Sequence, residues 1–288
     1  MKNADITDPL FREAVEAIDS GNIAALQELL EKNPSLVTKR MDTPAEGYFK
    51  HPYLLWFVAD NPIRQEKLPA NIVDITSLLI KFVRQNAKES FQEQIDYTFG
   101  LVETGRIPCE CGVQIDLIDL LIDNGAEAGN GQGALAHGNI EAAKYIIEKS
   151  GKMTLTAAVC LNKADDVKRL LTGAGTDDRQ AALMAGAFYG NPGTIALLIQ
   201  SGADVNAYIK SGFHTHASPL HQAVYSGSME AVKLLVQAGA NPAAKDKVYN
   251  GTPLDWARYM QTEAKDELAK KKYIEIENYL LTIQHQQG

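Results

Sequence analysis

The clearest pattern of hydrophobic and polar positions lies in residues 218–240, which read SPLHQAVYSGSMEAVKLLVQAGA. Leu220, Ala223 and Val224 fall on one side of a first helix, and they are small enough to let a neighbouring helix come close. A second apolar set follows at helical spacing and comprises Met229, Val232, Leu235 and Val236. The stretch therefore predicts two short antiparallel helices, each with one apolar face.

The residues at the helix ends support this prediction. Ser218 is a favoured N-cap because its hydroxyl can accept a hydrogen bond from an amide one turn into the helix, and Pro219 suits the first helical position. Gly227 ends the first helix, and Gly239 supplies the left-handed conformation that stops the second. The same start recurs at Pro253, 34 residues after Pro219. Two helices of this length cannot bury their apolar faces alone, so the pattern predicts stacked copies of the unit.

The sequence SPLHQAVYSGSMEAVKLLVQAGANPAAKD (218–246) resembles an ankyrin repeat, and GNPGTIALLIQSGADVNA (190–207) is similar to a weaker copy. The resemblance implies an all-α fold, an ankyrin-type solenoid of about seven or eight stacked helix pairs with short β-hairpin fingers mainly in the C-terminal half. It also implies that partners, usually proteins, bind a concave surface made by the fingertips and the exposed ends of the first helices. The alternative is an unrelated helical bundle with one accidental match.

The rest of the chain fits a single ankyrin repeat domain over residues 1–288. We expect an N-terminal cap at 8–40, degenerate repeats with insertions at 41–126, short repeats without fingers at 127–190, family-like repeats at 191–260 and a C-terminal cap helix at 261–288. Within 41–126, we predict second helices at 71–85 and 113–126, a first helix at 90–104 and a bulky first helix around Leu54–Phe57. The last helix is expected to run from Thr262 to Ile283, with Leu268, Ile276, Leu280 and Ile283 on its packed side.

The middle repeats are predicted to lack fingers because their links are short. From the end of one helix pair to the turn of the next, these links hold only 11–16 residues, against 25 from Gly202 to Gly227. A helix rises 1.5 Å per residue, so a first helix uses most of such a link. Fingers are expected to return at 204–217 and 241–251, where Asn250–Gly251 is a turn signal.

Composition narrows the possible partners. The net charge is −8, and no run rich in Lys and Arg extends beyond Lys270–Lys272, so we expect no nucleic acid partner. No signal-peptide core and no membrane-length apolar stretch is present. The three cysteines do not form a disulfide framework, which favours a reducing cytoplasm. We expect a monomer that binds another protein and no membrane.

The candidate binding residues are aromatic and histidine side chains on the inner surface and the C-terminal fingers. Large amphipathic rings bury much area at little cost in rotamer entropy and are enriched in binding hot spots. The alternative is that these rings simply pack against the long finger at 204–217. The predicted partner-binding residues are Phe188, Tyr189, Tyr208, Phe213, His214, His216, Tyr225, Tyr249 and Tyr259.

Histidines and cysteines leave two further hypotheses open. His214 and His216 would point the same way on an extended strand, and with His221 they could hold a metal. No Cys or carboxylate completes that site, so we favour polar finger residues, and the resemblance implies a structural, bridging role for His221. The Cys109–Glu–Cys111 insertion motivates a metal- or thiol-dependent regulatory protein, with Cys160 or a histidine as a further ligand. Thiols without a role in a turn are the simpler interpretation.

Recognised catalytic motifs are lacking in the sequence. We therefore expect a non-enzymatic protein–protein interaction module with no cofactor, no metal and no catalytic residue. A third hypothesis is that the insertions at 61–70 and 106–112 mediate self-association. Light scattering over a dilution series tests that hypothesis, while elemental analysis with thiol counting tests the metal- or thiol-dependent one.

Overall fold

The computed structural model describes residues 5–42 and 47–287. Within these residues the chain forms α-helices, short 3₁₀ helices and turns, and no strand. The all-α prediction is therefore confirmed. The chain divides into two compact units, Met1–Lys152 (unit 1) and Met153–Gly288 (unit 2). The single domain over residues 1–288 and the number of repeats remain predictions.

The helices of unit 1 alternate between two rows. The α-helices in its described residues are α1 (Pro9–Ser20), α2 (Ile23–Lys32), α3 (Ile72–Asn86), α4 (Phe91–Thr104), α5 (Arg106–Glu110), α6 (Gln114–Asp123), α7 (Gln132–Ala136) and α8 (Ile140–Ser150). Short 3₁₀ helices lie at Pro34–Val37, Gly47–Phe49 and Leu54–Ala59. One row runs α1, Leu54–Ala59, α4, α7, and the other runs α2, α3, α6, α8, with successive members in contact. This is the arrangement expected of stacked helix pairs.

The segment Leu54–Ala59, where a bulky first helix was predicted, forms a short 3₁₀ helix. All six residues of Leu54–Ala59 are buried, so the segment has no polar face to turn toward water. A 3₁₀ helix has three residues per turn and spreads its side chains in three directions. Trp56 stacks on Tyr97 with the ring centroids 3.9 Å apart, and Phe57 meets Phe11 edge-on at 5.7 Å.

The insertion that follows Asn61 is folded back onto unit 1. The buried carboxylate of Asp60 accepts hydrogen bonds from the backbone N–H groups of Arg64 and Glu66, each at 3.0 Å. The Arg64 guanidinium in turn pairs with both carboxylate oxygens of Asp19, each at 3.0 Å. Buried charges are tolerated only when they are paired in this way. The self-association hypothesis for this insertion stays a prediction.

Unit 2 repeats the two-row arrangement. Its α-helices are α9 (Leu155–Cys160), α10 (Ala164–Leu171), α11 (Thr176–Phe188), α12 (Pro192–Gln200), α13 (Pro219–Tyr225), α14 (Met229–Gln237), α15 (Pro253–Glu263) and α16 (Glu267–Gln287). The first helices α9, α11, α13 and α15 contact one another in that order, and α12, α14 and α16 form the second row. None of the helices in the described residues combines the length and the apolar character that a bilayer crossing demands.

Small side chains fill the space between the first helices of unit 2. Buried alanines on α9, α11, α13 and α15 allow these helices to approach closely, and the larger Leu198 and Leu235 fill the second row. The turn after α11 is equally tight, because a Cβ at Gly190 (φ +60°) would lie 2.8 Å from Ser226 Oγ. The alanines are Ala158, Ala182, Ala187, Ala223 and Ala257.

The loop segments of unit 2 correct the predicted hairpins. Residues 204–217 and 241–251 consist of turns and bends, so fingers project as loops and not as paired strands. The backbone N–H of Lys247 donates to the carbonyl of His216 at 2.8 Å, which joins the two loops directly. The segment starting at Thr262 is also not one continuous helix. The chain breaks at 264–266, Asp266 caps the next helix through the N–H of Ala269 at 2.7 Å, and Leu268 is left 69% exposed.

A half-buried carboxylate lies between α4 and α7 of unit 1. Glu103 reaches Gly133 so closely that a Cβ at position 133 would clash with Oε1. Burial raises the pKa of Glu103 to about 7, although a hydrogen bond from the backbone of Ala134 acts in the opposite direction. A group whose pKa is raised in this sense is harder to ionise in the folded state than in the unfolded chain.

We predict that Glu103→Gln stabilises the protein above neutral pH. The unfolded pKa is near the ordinary value of 4.5 and the folded one is about 7. The charged carboxylate therefore costs stability that is fully present above pH 7 and fades as the pH falls toward 4.5. Urea unfolding should show a gain of about 1–3 kcal/mol at pH 8 and a smaller gain at mildly acidic pH. Glu148→Gln, on an exposed position of α8, should change neither value. An equal gain from E103Q at both pH values would contradict the assignment.

Candidate partner-binding surface

Phe188, at the C-terminal end of α11, is the centre of a group of aromatic rings. Its ring stacks on Tyr225 at the end of α13, with centroids 5.4 Å apart and an angle of 11° between the planes. It stacks on His214 at 4.6 Å and meets Tyr189 edge-on at 5.2 Å. We call Phe188, Tyr189, His214 and Tyr225 the aromatic surface. Three of these side chains are half-buried and Tyr225 is 43% exposed.

The long loop 204–217 packs against the buried side of this surface. Phe213 is fully buried and packs edge-on against Phe188 at 5.9 Å. His214 adopts a positive φ of +36°, and its carbonyl accepts the N–H of Ala217 at 3.2 Å, which turns the loop back toward α13. Phe213 thus holds the rings in place and offers no surface of its own. A contact role for Phe213 would require the loop to open.

Ring contacts continue from the aromatic surface toward α15. His214 lies 6.0 Å from His216, and His216 lies 5.9 Å from Trp256. Trp256 also meets the buried His221 at 5.1 Å. His221 accepts from Ser218 at Nδ1, where the hydroxyl oxygen is at 2.7 Å, and donates from Nε2 to the carbonyl of Gly251 at 3.0 Å. His221 therefore connects the start of α13 with the following loop.

Asp246 organises the second loop. Its carboxylate, 2% exposed, accepts the N–H groups of Val248, Tyr249 and Gly251 and the indole N–H of Trp256, at 2.6 to 3.0 Å. Burial alone would raise the pKa of Asp246, but these four donors outweigh it and lower the pKa to about 2. The loop consequently has a fixed backbone, and it leaves Val248 62% and Tyr249 78% exposed.

The remaining predicted residues lie outside the ring contacts. The Tyr208 hydroxyl donates to the carbonyl of Lys245 at 2.7 Å, and the Lys247 ammonium lies 4.6 Å from the Tyr208 ring centroid. Tyr249 and Tyr259 are well exposed, but among the described residues neither ring contacts the aromatic surface. The structure thus brings Phe188, Tyr189, Phe213, His214, His216 and Tyr225 together and places Tyr208 and Tyr249 on the loops.

Burial favours the uncharged form of three titratable groups near the surface. Burial lowers the pKa of His221, raises that of the Tyr189 hydroxyl, and raises that of the Cys160 thiol to about 12. Cys109 and Cys111 are exposed free thiols in unit 1. Within residues 5–42 and 47–287, no cluster of three or more His, Cys, Asp or Glu side chains is placed to hold a metal.

Sequence reasoning missed Asp246 and Trp256. A turn signal at Asn250–Gly251 located the loop, but one aspartate before a turn does not reveal which amides it will accept. The hydrogen bond between Trp256 and Asp246 depends on how the loop packs against the first turn of α15, and the spacing of the two residues in the sequence does not reveal it. Tyr273 of α16 was also missed, and its hydroxyl donates to the carbonyl of Tyr225 at 3.0 Å.

Stacked antiparallel helix pairs with small residues between the first helices define unit 2 as a helical repeat protein. Residues 183–279 match the family described as ankyrin repeats (3 copies). This stretch of the chain contains ankyrin repeats, and the resemblance found in residues 190–246 is confirmed. No curated protein matches the chain.

We predict that Asp246→Asn destabilises unit 2, because the amide group turns a donor toward N–H groups that need an acceptor. The expected loss is about 1–3 kcal/mol at pH 7. Since the folded pKa lies below the ordinary value of 3.8, the carboxylate stabilises the fold above pH 4, and this contribution is lost as the pH falls from 3.8 toward 2. The difference between D246N and wild type in denaturant unfolding should shrink accordingly at acidic pH. Asp177→Asn, at an exposed position of α11, is the matched control, and equal stability of the two variants would contradict the role of Asp246.

Proposed function

We propose that the chain is a non-enzymatic protein–protein interaction module that binds a partner on the aromatic surface of unit 2. Ankyrin repeats are generally protein-binding modules, and the matched repeats contain this surface. The observation that carries the proposal is Tyr225, which is 43% exposed although its ring stacks on Phe188. In the family, the ends of first helices face the concave side, so we propose that side for the contact.

The surface is suited to binding because its rings are already fixed. Phe188 holds Tyr225 by stacking, and the Tyr273 hydroxyl holds the Tyr225 carbonyl at 3.0 Å. Rings that are ordered before binding lose little rotamer freedom when a partner arrives. Aromatic residues in such positions commonly carry a large part of the binding energy.

The competing interpretation, that the rings only pack against loop 204–217, accounts for Phe213 but not for Tyr225. Phe213 is buried under the surface, so a test should leave it in place to avoid a cavity in the loop. The metal- or thiol-dependent alternative loses one possible further ligand, because Cys160 is buried with a pKa raised to about 12. Free thiols at Cys109 and Cys111 suit a reducing compartment, and we propose a cytoplasmic monomer.

We predict that Tyr225→Ala weakens partner binding at least about tenfold, in the range of an aromatic hot spot. The partner is first trapped in the native cell with Tyr225→p-benzoylphenylalanine and identified by mass spectrometry. Its affinity for wild type and for Y225A is then measured by titration.

The matched control is Tyr48, which is 58% exposed and lies in unit 1. The same photoreactive residue at position 48 should not trap that partner, and Tyr48→Ala should bind it like wild type. Thermal unfolding of Y225A should match that of Y48A. Identical trapping from both positions, or an undiminished affinity of Y225A, would show that the partner binds elsewhere.

A further inference from the structure

We propose that the partner segment is acidic and docks on a surface we call the lysine loops, formed by Lys210, Lys245, Lys247, Val248 and Tyr249. The three ammonium groups would pair with carboxylates, and Val248 and Tyr249 would bury against an apolar side chain of the same segment. This inference rests on the proposed function, because it names the chemistry of the partner that unit 2 would bind.

The first observation is a local reversal of charge. The chain carries a net charge of −8, yet loops 204–217 and 241–251 contribute three exposed lysines against two acids, Asp204 and Asp246. Asp246 is buried and its carboxylate is occupied by four N–H donors. Asp204, and Asp255 just after the second loop, each accept hydrogen bonds from their own turn, from Asn206 and Thr252 respectively.

The second observation is that these lysines are available. The ion pairs of the described residues do not include Lys210, Lys245 or Lys247. The Lys247 ammonium lies over the Tyr208 ring, a contact that leaves its hydrogen-bond donors free for a carboxylate. The hydrogen bonds from Thr252 lower the pKa of Asp255 most, and the charges of Arg258 and, least of all, Lys245 add to this effect.

The third observation is that the exposed apolar pair is held rigidly. Asp246 fixes the backbone of Val248 and Tyr249 through their N–H groups, and the Lys247 N–H is tied to His216 at 2.8 Å. A solvent-exposed loop without a binding role does not require a backbone ordered by these hydrogen bonds. Val248 and Tyr249 stand 62% and 78% exposed, and an apolar pair displayed on an ordered backbone is typical of a docking anchor.

The small number of basic side chains favours an acidic peptide over a nucleic acid as the partner. An exposed lysine–carboxylate pair strengthens binding only slightly, so three pairs give specificity while Tyr249 supplies the anchor. A nucleic acid needs a broad basic face to displace enough counterions. Three lysines on a chain of net charge −8 do not provide one.

The test uses fluorescence anisotropy with the full chain and a short labelled peptide in which Glu-Glu pairs alternate with Leu and Tyr. A counterpart with Lys in place of Glu and a single-stranded oligothymidylate are the comparison probes. We expect saturable binding of the acidic peptide alone, weakening as salt is raised. The double variant Lys245→Glu/Lys247→Glu and the variant Tyr249→Ala should each weaken it at least about tenfold.

Lys163→Glu/Lys168→Glu changes the charge equally at exposed positions elsewhere in unit 2 and should bind like wild type. The proposal is overturned if the acidic peptide fails to bind, if the lysine peptide binds equally, or if both double variants weaken binding alike. Tighter, K245E/K247E-sensitive binding of the oligothymidylate would assign the surface to nucleic acid instead. A dimer abolished by K245E/K247E would assign it to a second copy of the chain. A partner that crosslinks at position 225 through a non-acidic segment would overturn this inference and leave the proposed function standing.

Discussion

The fold of unit 2 depends on short helices that cover one another's apolar faces. The first helices α9 and α13 have only 6 and 7 residues, too few to persist alone in water. They are helical because each lies between neighbours, and the neighbours come close because alanine occupies Ala158, Ala182 and Ala223. The apolar helix faces are used for stacking, whereas helix ends and loops stay partly exposed. The aromatic surface and the lysine loops occupy those places.

The sequence predicts a helix end correctly where the residues that form that end are neighbours in the chain. The predicted helices at 71–85 and 90–104 agree within a residue with α3 and α4, because their apolar spacing and polar boundaries lie in the same stretch of chain. The segment Leu54–Ala59 could not be assigned in this way, since its 3₁₀ geometry follows from burial on every side. At the break at 264–266, the Asp266 side chain caps the next helix by accepting the N–H of Ala269. The charged helical pattern continues through these residues, so the sequence does not predict that the helix ends there.

The candidate site was predictable in its residue types and only partly in its geometry. Position alone placed Phe188, Tyr189 and Tyr225 near one another, and their rings do contact. The exposure of Phe213 could not be read from the sequence, because an aromatic residue in a loop can point either way. The order of loop 241–251 depends on the buried Asp246 and on Trp256 in the next helix, which is a tertiary contact. Fingers were expected as strands, but caps and side-chain hydrogen bonds take over the backbone partners that strands would have used.

The positions of the three cysteines have a practical consequence for labelling the protein. Cys109 and Cys111 are accessible at the end of α5 in unit 1, whereas Cys160 is enclosed in unit 2. Maleimide dyes, spin labels and surface-tethering reagents that seek accessible thiols will therefore attach to unit 1 of the native protein. A sensor surface or an optical reporter can be joined to the unmodified chain through α5 while the ankyrin repeats matched at residues 183–279 stay chemically untouched.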